Sequence, residues 1–367
     1  MSLRPLLDYR PAITAGEGIG RYVRELSRAL AQLDDVDLGL FAPTWARAME
    51  GVQIPEGARV FRRRFPSKVL TRGLRLGPLK VEHLLRGGAD LVHHTQYRRL
   101  PTRLPEVATI HDLVYLDSDR YVSAGTAARM SEFARTVART ARVIVTPSFA
   151  VADQVAERLD FPRERVVAAH HGIDHGGVLG GPLQGGRGNR DARPYLLTVA
   201  RLERRKNLDG VLAALERMGN TGIDWVIAGP DGEGAEAFKD RVQSSSLKHR
   251  IQLRGRVPEE ELRDLLAGCA AFVLVPHDEG FGMAPLEAAA AGRPVVTSDV
   301  PVVAEICGGM ARLVPPDDPD GIATAITEAL GEPDGPAEKE RRRERALSYT
   351  WARTAESHVG AYRLALG

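Results

Sequence analysis

The sequence contains only two cysteines, Cys269 and Cys307, and therefore has no framework of disulfide bonds. No apolar run approaches the roughly 18 residues that a membrane-spanning helix requires. The first predicted strand, at Leu3–Asp8, follows no leader of the secretory kind. These absences predict a protein of the reducing cytoplasm, whose contact with a membrane would be peripheral, at its inner face.

A large charge of one sign is also absent. The formal net charge of the 367 residues is only +2, which argues against nucleic acid as a partner. The two halves differ, however, because residues 1–180 have 26 Lys and Arg against 20 Asp and Glu, whereas residues 181–367 have 24 against 28. A chain of this length exceeds one ordinary hydrophobic core and predicts two domains.

Short apolar runs alternate with amphipathic segments along the chain. The runs at 195–200 and 271–275 have the length of buried strands, and residues 351–366 have helical spacing. This alternation predicts an α/β fold of parallel sheets with helices on both faces. Glycines concentrate before residue 193, which predicts a linker. The expected divisions are 1–175, the linker 176–193, 194–349 and a last helix at 350–367.

The stretch from Pro276 to Pro301 carries the clearest chemical signal. A loop with Gly280 and Gly282 precedes a predicted helix at Met283–Ala291, and an apolar run lies on each side. Glycines let a ligand approach the backbone, and the N–H groups and partial positive charge of a helix N-terminus suit a phosphate.

Two carboxylates flank this predicted anion site, Glu279 on the loop and Glu287 on the helix. One suits ribose hydroxyls and the other suits sugar hydroxyls, so the combination fits a nucleotide sugar. The alternative is that Glu279 caps the helix and Glu287 is a solvated surface acid.

Two further candidates lie in the first half. The loop Gly16-Glu17-Gly18-Ile19-Gly20 opens an amphipathic helix and can cradle a phosphate, although its spacing is wrong for a dinucleotide fingerprint. A flexible turn is the alternative there. His111 and Asp112 follow a strand, and ligands of open α/β sheets gather at such strand ends. A structural hydrogen bond within that pair is the alternative.

Residues 59–86 form a strongly basic stretch, with nine Lys and Arg residues against the single acid Glu82. Leucines and a valine are interleaved at helical spacing. A basic amphipathic segment can lie on an anionic bilayer or grip an acidic acceptor. A solvated charged surface is the alternative.

As a set, five motifs resemble those of the retaining glycosyltransferases of family four, which have the GT-B fold. They are Gly18-Ile19-Gly20-Arg21-Tyr22, Ile110-His111-Asp112, Arg201 with Lys206, Gly229-Pro230-Asp231-Gly232, and Glu279-Gly280-Phe281-Gly282 with Glu287, the family's E-x7-E motif. The resemblance covers nearly the whole chain. The first two motifs most resemble bacterial mannosyltransferases of surface-polysaccharide assembly.

The resemblance implies two Rossmann-like domains facing each other across a cleft, with the acceptor on the first and a nucleoside-diphosphate sugar on the second. Arg201 and Lys206 would grip the diphosphate, because a guanidinium and an ammonium suit that leaving group. Glu279 would hold hydroxyls of the sugar, and Glu287 the ribose.

Other implied contacts involve backbone or lie near the transferred sugar. They are the backbone at Phe281, Gly282, Met283 and Ala284 toward the diphosphate, Arg256 and Val257 toward the base, His111 near the sugar, and Gly18 and Gly20 near the phosphates or acceptor. The last helix would cross back onto the first domain. His170-His171-Gly172 departs from the commoner Pro-Asn-Gly, and His171 has no role in this scheme.

The implied reaction moves a hexose from a nucleoside-diphosphate sugar, GDP-mannose being the first choice, to a saccharide or lipid-linked acceptor. No metal cofactor is expected, because the sequence has no paired-aspartate ligand motif of the Asp-x-Asp kind. Two other functions stay open at this point. One is a nucleotide-sugar 2-epimerase of GT-B fold, and the other is a sugar-binding protein without enzymatic activity.

Overall fold

The computed structural model describes residues 2–14, 18–43, 54–62, 67–117, 121–173, 193–219, 221–331 and 335–367. Gly16, Arg63, Arg64 and nearly all of the linker predicted at 176–193 lie outside the described residues. The chain divides into two compact units. The first unit comprises Met1–Ser118, Ser123–Gly172 and Trp351–Gly367, and the second comprises Asp119–Val122 and Ile173–Thr350.

The strands are short and mostly buried. They are β1 (Pro5–Asp8), β2 (Gly39–Phe41), β3 (Arg59–Phe61), β4 (Leu91–His94), β5 (Glu106–Thr109), β6 (Val143–Thr146), β7 (Val166–Ala168), β8 (Tyr195–Val199), β9 (Asp224–Ala228), β10 (Ile251–Gly255), β11 (Ala271–Leu274), β12 (Val295–Ser298) and β13 (Arg312–Val314).

Helices lie between the strands. They are α1 (Arg10–Thr14), α2 (Ile19–Ala31), α3 (Ser67–Leu76), α4 (Ala124–Thr140), α5 (Phe149–Leu159), α6 (Leu208–Met218), α7 (Ala235–Ser244), α8 (Glu259–Gly268), α9 (Met283–Ala290), α10 (Pro301–Cys307), α11 (Pro319–Gly331), α12 (Pro336–Leu347) and α13 (Trp351–Leu366).

Each unit contains one sheet, and all neighbouring strands are parallel. The strand order is β3-β2-β1-β4-β5-β6-β7 in the first unit and β10-β9-β8-β11-β12-β13 in the second. The direction of strand succession reverses between β1 and β4, and again between β8 and β11. Ligands of open α/β sheets bind outside the carboxyl ends of the strands at such switch points. The predicted α/β class with parallel sheets is confirmed.

Local chemistry explains why several predicted elements begin and end where they do. The hydroxyl of Ser148 accepts a hydrogen bond of 3.2 Å from the backbone N–H of Val151, and this caps α5. Helix α9 begins after Gly282, which has a left-handed φ of 91°, and it ends before Gly292, with a φ of 75°. The predicted strands at 195–200 and 271–275 are β8 and β11.

Within the basic stretch at 59–86, the apolar residues from Val69 to Leu79 predicted a helical face, and α3 contains most of them. Among the described residues of this stretch, only Ser67–Leu76 is α-helical, because Pro78 lacks a backbone N–H and restricts the preceding glycine. Arg59 belongs to β3 and donates to the Asp37 carboxylate at 2.6 Å. The ammonium of Lys80 donates to the carbonyl of Leu74 at 2.9 Å and so stabilises the end of α3.

A directed chain of hydrogen bonds runs through the core of the first unit and holds α13. The His358 Nδ1–H donates to the Thr354 carbonyl at 2.7 Å, so Nε2 accepts from the Tyr22 hydroxyl at 2.8 Å. The Tyr22 oxygen accepts from the Thr109 hydroxyl at 2.9 Å. The Thr109 oxygen in turn accepts from His93 Nε2–H at 2.7 Å. His93 Nδ1 then accepts from Tyr362 at 2.9 Å. Neutral imidazoles therefore link β4, β5, α2 and α13.

His171, which the sequence left without a role, lies beside this chain of hydrogen bonds. Its ring stacks on Tyr22, with centroids 4.9 Å apart, and on Trp351, with centroids 5.8 Å apart. The residue is buried, so its place is in the packing between α2 and the start of α13.

Burial lowers the pKa of His111 and of His358 to about 4, because the charged imidazolium is poorly solvated in the core. Burial also lowers the pKa values of His93 and His171. Histidines of the unfolded chain titrate near 6.5, so the unfolded chain binds protons first as the pH falls.

Acid should therefore destabilise the first unit. The contribution of these histidines to the free energy of unfolding should be constant above about pH 6.5 and decline toward pH 4, with His358 alone accounting for about 3 kcal/mol. Thermal midpoints measured between pH 7 and 4 should fall less steeply in His358→Gln than in the wild type. His249→Gln, at an exposed position, is the control. Equal slopes in the wild type and His358→Gln would contradict the prediction.

Candidate functional site

Three sequence-predicted residues of the second unit lie on loops at the switch point of its sheet. Arg201 and Lys206 follow β8, and Glu279 follows β11, the strand that neighbours β8. Because both strands are parallel, their carboxyl ends meet at one edge of the sheet. Residues distant in sequence are thereby brought together.

Lys206, Glu279 and Arg205 form a mostly buried ionic cluster. The Lys206 ammonium donates to Glu279 Oε1, and Arg205 Nη1 lies 3.2 Å from Glu279 Oε2. The side chains are 13%, 11% and 17% exposed, respectively. Two cations thus share one carboxylate at the sheet edge.

Burial and neighbouring charges shift the pKa values of Glu279 and Lys206. Burial acts to raise the pKa of Glu279, but Lys206 and Arg205 outweigh burial and lower that pKa below its ordinary value. Burial lowers the pKa of Lys206, and Arg205 adds a like charge beside it, while Glu279 acts in the opposite direction. Glu279 is therefore held as a carboxylate facing two cations.

Arg201 lies in the same loop but has different partners. Its guanidinium donates to Glu203 at 2.7 Å and to the Asp231 carbonyl at 3.1 Å, and half of the side chain is exposed. The Gly229–Gly232 motif supports this loop, since Leu202 donates its backbone N–H to the Pro230 carbonyl at 3.0 Å. The exposed guanidinium can contact an anion without leaving its loop.

The geometry at α9 excludes the alternative interpretations of Glu279 as a helix cap and of Glu287 as a solvated surface acid. Gly282 is the N-cap residue and no side chain caps the helix, so Glu279 is not a cap. Glu287 is only 4% exposed and is not a solvated surface acid. A Cβ at Gly282 would meet nothing within 4 Å, so there is open space beside the helix N-terminus.

The other backbone candidates of the second unit lie around this edge. Phe281 is buried and packs edge-on against Tyr349, with centroids 6.0 Å apart. Met283, Ala284 and Val257 are partly buried and pack against the same hydrophobic core. These contacts fix the backbone, which is the part expected to meet the ligand.

In the first unit, His111 contacts the ring of Tyr22, which lies in the first turn of α2. Gly18 precedes α2 with a left-handed φ of 55°, and Gly20 is buried in its first turn. Tyr22 lies edge-on to His111, with ring centroids 5.0 Å apart. His111 Nε2–H donates to the Thr95 carbonyl at 3.1 Å, which leaves Nδ1 as an acceptor on a neutral ring.

Sequence reasoning missed one buried ion pair in the first unit and one cation in the second. In the first unit, Asp8 at the end of β1 forms a buried bidentate ion pair with Arg10, at 2.6 and 2.7 Å. In the second unit, Arg205 was overlooked although it stands next to Lys206. Its adjacency to a motif lysine was the available signal, and only the fold shows that it reaches Glu279.

The described residues contain neither a candidate metal centre nor a candidate membrane-spanning helix. No group of three or more His, Cys, Asp or Glu side chains there is arranged to hold a metal ion. Among the helices in the described part of the chain, none has the length and apolar character needed to cross a bilayer.

Two family descriptions match the sequence. "Glycosyltransferase Family 4" matches residues 16–176, and "Glycosyl transferases group 1" matches residues 185–347. The two matches together span most of the chain, one on each side of the predicted linker.

Curated relatives and solved structures extend these matches. O-antigen chain mannosyltransferase B of Escherichia coli is 26% identical over 369 residues, which cover 95% of this chain and 96% of the relative. Glycogen synthase of Mycobacterium tuberculosis is 28% identical, covering 97% of this chain and 92% of the relative. Sucrose-phosphate synthase from Thermosynechococcus elongatus has a similar fold, with a TM-score of 0.73 and 21% identity over 99% of this chain and 98% of that one.

Gly229 should tolerate no side chain. A Cβ there would lie 1.9 Å from the Ala200 carbonyl oxygen, and the φ of 153° is one that other residues rarely adopt. We expect Gly229→Ala to lower the free energy of unfolding by about 2–4 kcal/mol. Gly331→Ala is the control, because a Cβ there meets nothing within 4 Å. Chemical unfolding curves in which both variants match the wild type would contradict the prediction.

Proposed function

Because the chain belongs to the family 4 glycosyltransferases and has their GT-B fold, as its motifs predicted, we propose that it is a retaining hexosyltransferase dependent on a nucleoside-diphosphate sugar. The observation that carries this proposal is the ionic cluster of Lys206, Arg205 and Glu279 at the switch point of the second sheet. The cluster would supply cations to a diphosphate and a carboxylate to sugar hydroxyls.

The proposed chemistry follows from where charge develops. As the bond between the sugar and the diphosphate breaks, its electron pair passes to the phosphate oxygen, where fixed cations gain most. Arg201 and Lys206 supply those cations, and the backbone of 281–284 at the start of α9 adds N–H groups. Glu279 accepts hydrogen bonds from hydroxyls of the donor sugar, and Glu287 holds the ribose.

In this scheme the acceptor hydroxyl attacks the face that the diphosphate leaves, and the departing phosphate oxygen takes its proton. Retention follows from that same-face attack. His111 would contact the transferred sugar as a neutral hydrogen-bonding group, since its pKa is about 4. Gly18 and Gly20 lie at the start of a helix and would approach the phosphates or the acceptor.

For the donor we propose GDP-mannose, and for the acceptor a saccharide or lipid-linked glycan of polysaccharide biosynthesis. The support is the similarity to the O-antigen mannosyltransferase over nearly the full length of both chains. The similarity to a glycogen synthase makes a glucose donor the second candidate. Melting temperatures measured with GDP, UDP and ADP identify the nucleotide, because a ligand bound only by the folded state raises the midpoint.

Product analysis separates this proposal from the two other functions. A transferase releases the nucleoside diphosphate and extends an acceptor, whereas a 2-epimerase consumes no acceptor. A sugar-binding protein would bind the saccharide and release no nucleotide. Incubation with the identified donor, with and without an acceptor glycan, followed by chromatography of nucleotides and glycans, distinguishes all three.

Lys206 and Glu279 should differ in their effects on binding and transfer. Lys206→Ala should weaken binding of the free nucleoside diphosphate and slow transfer by roughly 100- to 1,000-fold, since one electrostatic contact to the developing charge is lost. Glu279→Gln should slow transfer while leaving diphosphate affinity unchanged or higher, because the carboxylate that occupies Lys206 has been neutralised.

The measurements for these variants are calorimetric affinity and steady-state transfer rates. Lys248→Ala and Glu236→Gln are matched controls at exposed positions of the second unit. A loss of diphosphate affinity in Glu279→Gln as large as that in Lys206→Ala would show that the proposed division of roles is wrong.

We also propose that α3 and the residues after it contact an anionic membrane or lipid-linked acceptor. Val69, Leu76 and Leu79 are exposed, with Leu76 at 78%. Arg72 and Arg75 lie on the same exposed helix. Apolar residues exposed among cations fit the interface of an anionic bilayer.

Sedimentation with anionic vesicles at low salt tests this contact. The double variant Leu76→Ser, Leu79→Ser should sediment less than the wild type, because each leucine loses about 1.5–3 kcal/mol of apolar burial. Leu364→Ser is the control, since Leu364 is exposed on α13. Failure of the wild type to sediment would overturn the proposal.

A further inference from the structure

We infer that Arg205 is the positioning residue that keeps Glu279 in place when Lys206 turns from that carboxylate to the diphosphate of the donor. The inference rests on the proposed function. It concerns a residue that lies outside the sequence motifs from which that function was inferred.

Arg205 joins the two loops of the switch point through both its backbone and its side chain. Its carbonyl accepts from the His277 N–H at 2.9 Å, and its Nη1 donates to the Asp278 carbonyl at 2.9 Å. The same Nη1 reaches Glu279 Oε2 at 3.2 Å. Three successive residues after β11 are therefore held by one residue after β8.

The two cations hold Glu279 in different ways. Lys206 reaches the carboxylate through the tip of a flexible chain, and an ammonium with three donors can exchange one acceptor for another. The guanidinium of Arg205 is planar and also binds the Asp278 carbonyl, so its orientation is fixed by the loop it holds. Lys206 is thus the cation that can move, and Arg205 is the one that stays.

This difference matters because Glu279 is mostly buried. A diphosphate that draws Lys206 away would leave a buried carboxylate without a partner, which is strongly unfavourable. With Arg205 still in contact, the carboxylate keeps one cation and its position toward the sugar. Without Arg205, Glu279 would retain Lys206 and compete with the diphosphate for it.

A double-mutant cycle between Arg205 and Glu279 tests the inference through calorimetric affinity for the nucleoside diphosphate. Arg205→Ala should weaken binding about tenfold, since Glu279 then retains Lys206. In the Glu279→Gln background the same change should have little effect, because no carboxylate competes. Arg204→Ala is the matched control, since Arg204 is the exposed neighbour in the same turn.

The pH dependence of transfer gives a second measurement that a purely structural role would not change. In Arg205→Ala, Glu279 faces one cation instead of two, so the acid limb of kcat/KM should move to higher pH. Arg205→Lys keeps the charge and should leave that limb near its wild-type position. Thermal midpoints of the variants show whether a loss of affinity arises from unfolding. If Arg205→Ala is unfolded, Arg205→Lys is the variant that tests the inference.

Each result supports or overturns the inference. An equal loss of affinity from Arg205→Ala in both backgrounds would mean that Arg205 acts independently of Glu279, and no loss beyond that of Arg204→Ala would mean that it does not hold the carboxylate. Either result would leave the proposed function intact if Lys206→Ala still weakens binding. A wild type that binds no nucleoside diphosphate would overturn the proposed function and this inference together.

Discussion

The burial of one carboxylate between two cations is the interaction on which the second unit's candidate site depends. Removing charges from water costs several kcal/mol for each ion, and only close opposite charges offset that cost. Glu279 meets this condition through Lys206 and Arg205, and removing the carboxylate would leave two mostly buried cations side by side. The loops after β8 and β11 are therefore fixed by electrostatics as well as by backbone hydrogen bonds. A ligand that brings two negative phosphates can change how the cations are shared.

The two units accommodate buried ionisable groups in opposite ways. The second unit keeps Glu279 charged by pairing it, and the pKa of that carboxyl is correspondingly low. The core of the first unit keeps His93 and His358 neutral and satisfies them with hydroxyls and a carbonyl. A charged cluster suits a site that binds an anion, whereas a neutral hydrogen-bonded chain suits a core that joins α13 to β4 and β5. Acid therefore acts on the packing of the first unit through its histidines.

The sequence predicted elements best where one local signal was sufficient. Buried parallel strands such as β8 and β11 are continuous apolar runs, and α9 has a glycine on each side. Strand β3 and helix α10 were missed, because three to seven residues carry too little periodicity to distinguish them from loops. In the basic stretch at 59–86 the predicted helical face extended to Leu79, since charge and spacing do not show that the helix ends before Pro78.

Local sequence signals were also insufficient to predict the contacts within the candidate site. The family resemblance implied separate contacts for Lys206 and Glu279, one with phosphate and one with sugar, but a contact across 73 residues of sequence is invisible without the fold. Arg205 was missed for that reason, since its role depends on where the chain after β11 passes. Likewise, the sequence identified Gly229 only as part of a motif. The structure shows why glycine is required there, because a side chain would collide with the Ala200 carbonyl.

The chemistry of these contacts also explains the range of relatives that the chain resembles. A diphosphate, a ribose and vicinal sugar hydroxyls are common to GDP-mannose and to glucose donors, so the proposed contacts of cations and carboxylates would suit all of them. A mannosyltransferase and a glycogen synthase can then both match over nearly the full chain. Selection of the sugar must come from groups that sense the orientation of single hydroxyls, beyond the charged cluster itself. The ionic cluster is thus the part of the proposed site that we expect different donors to share.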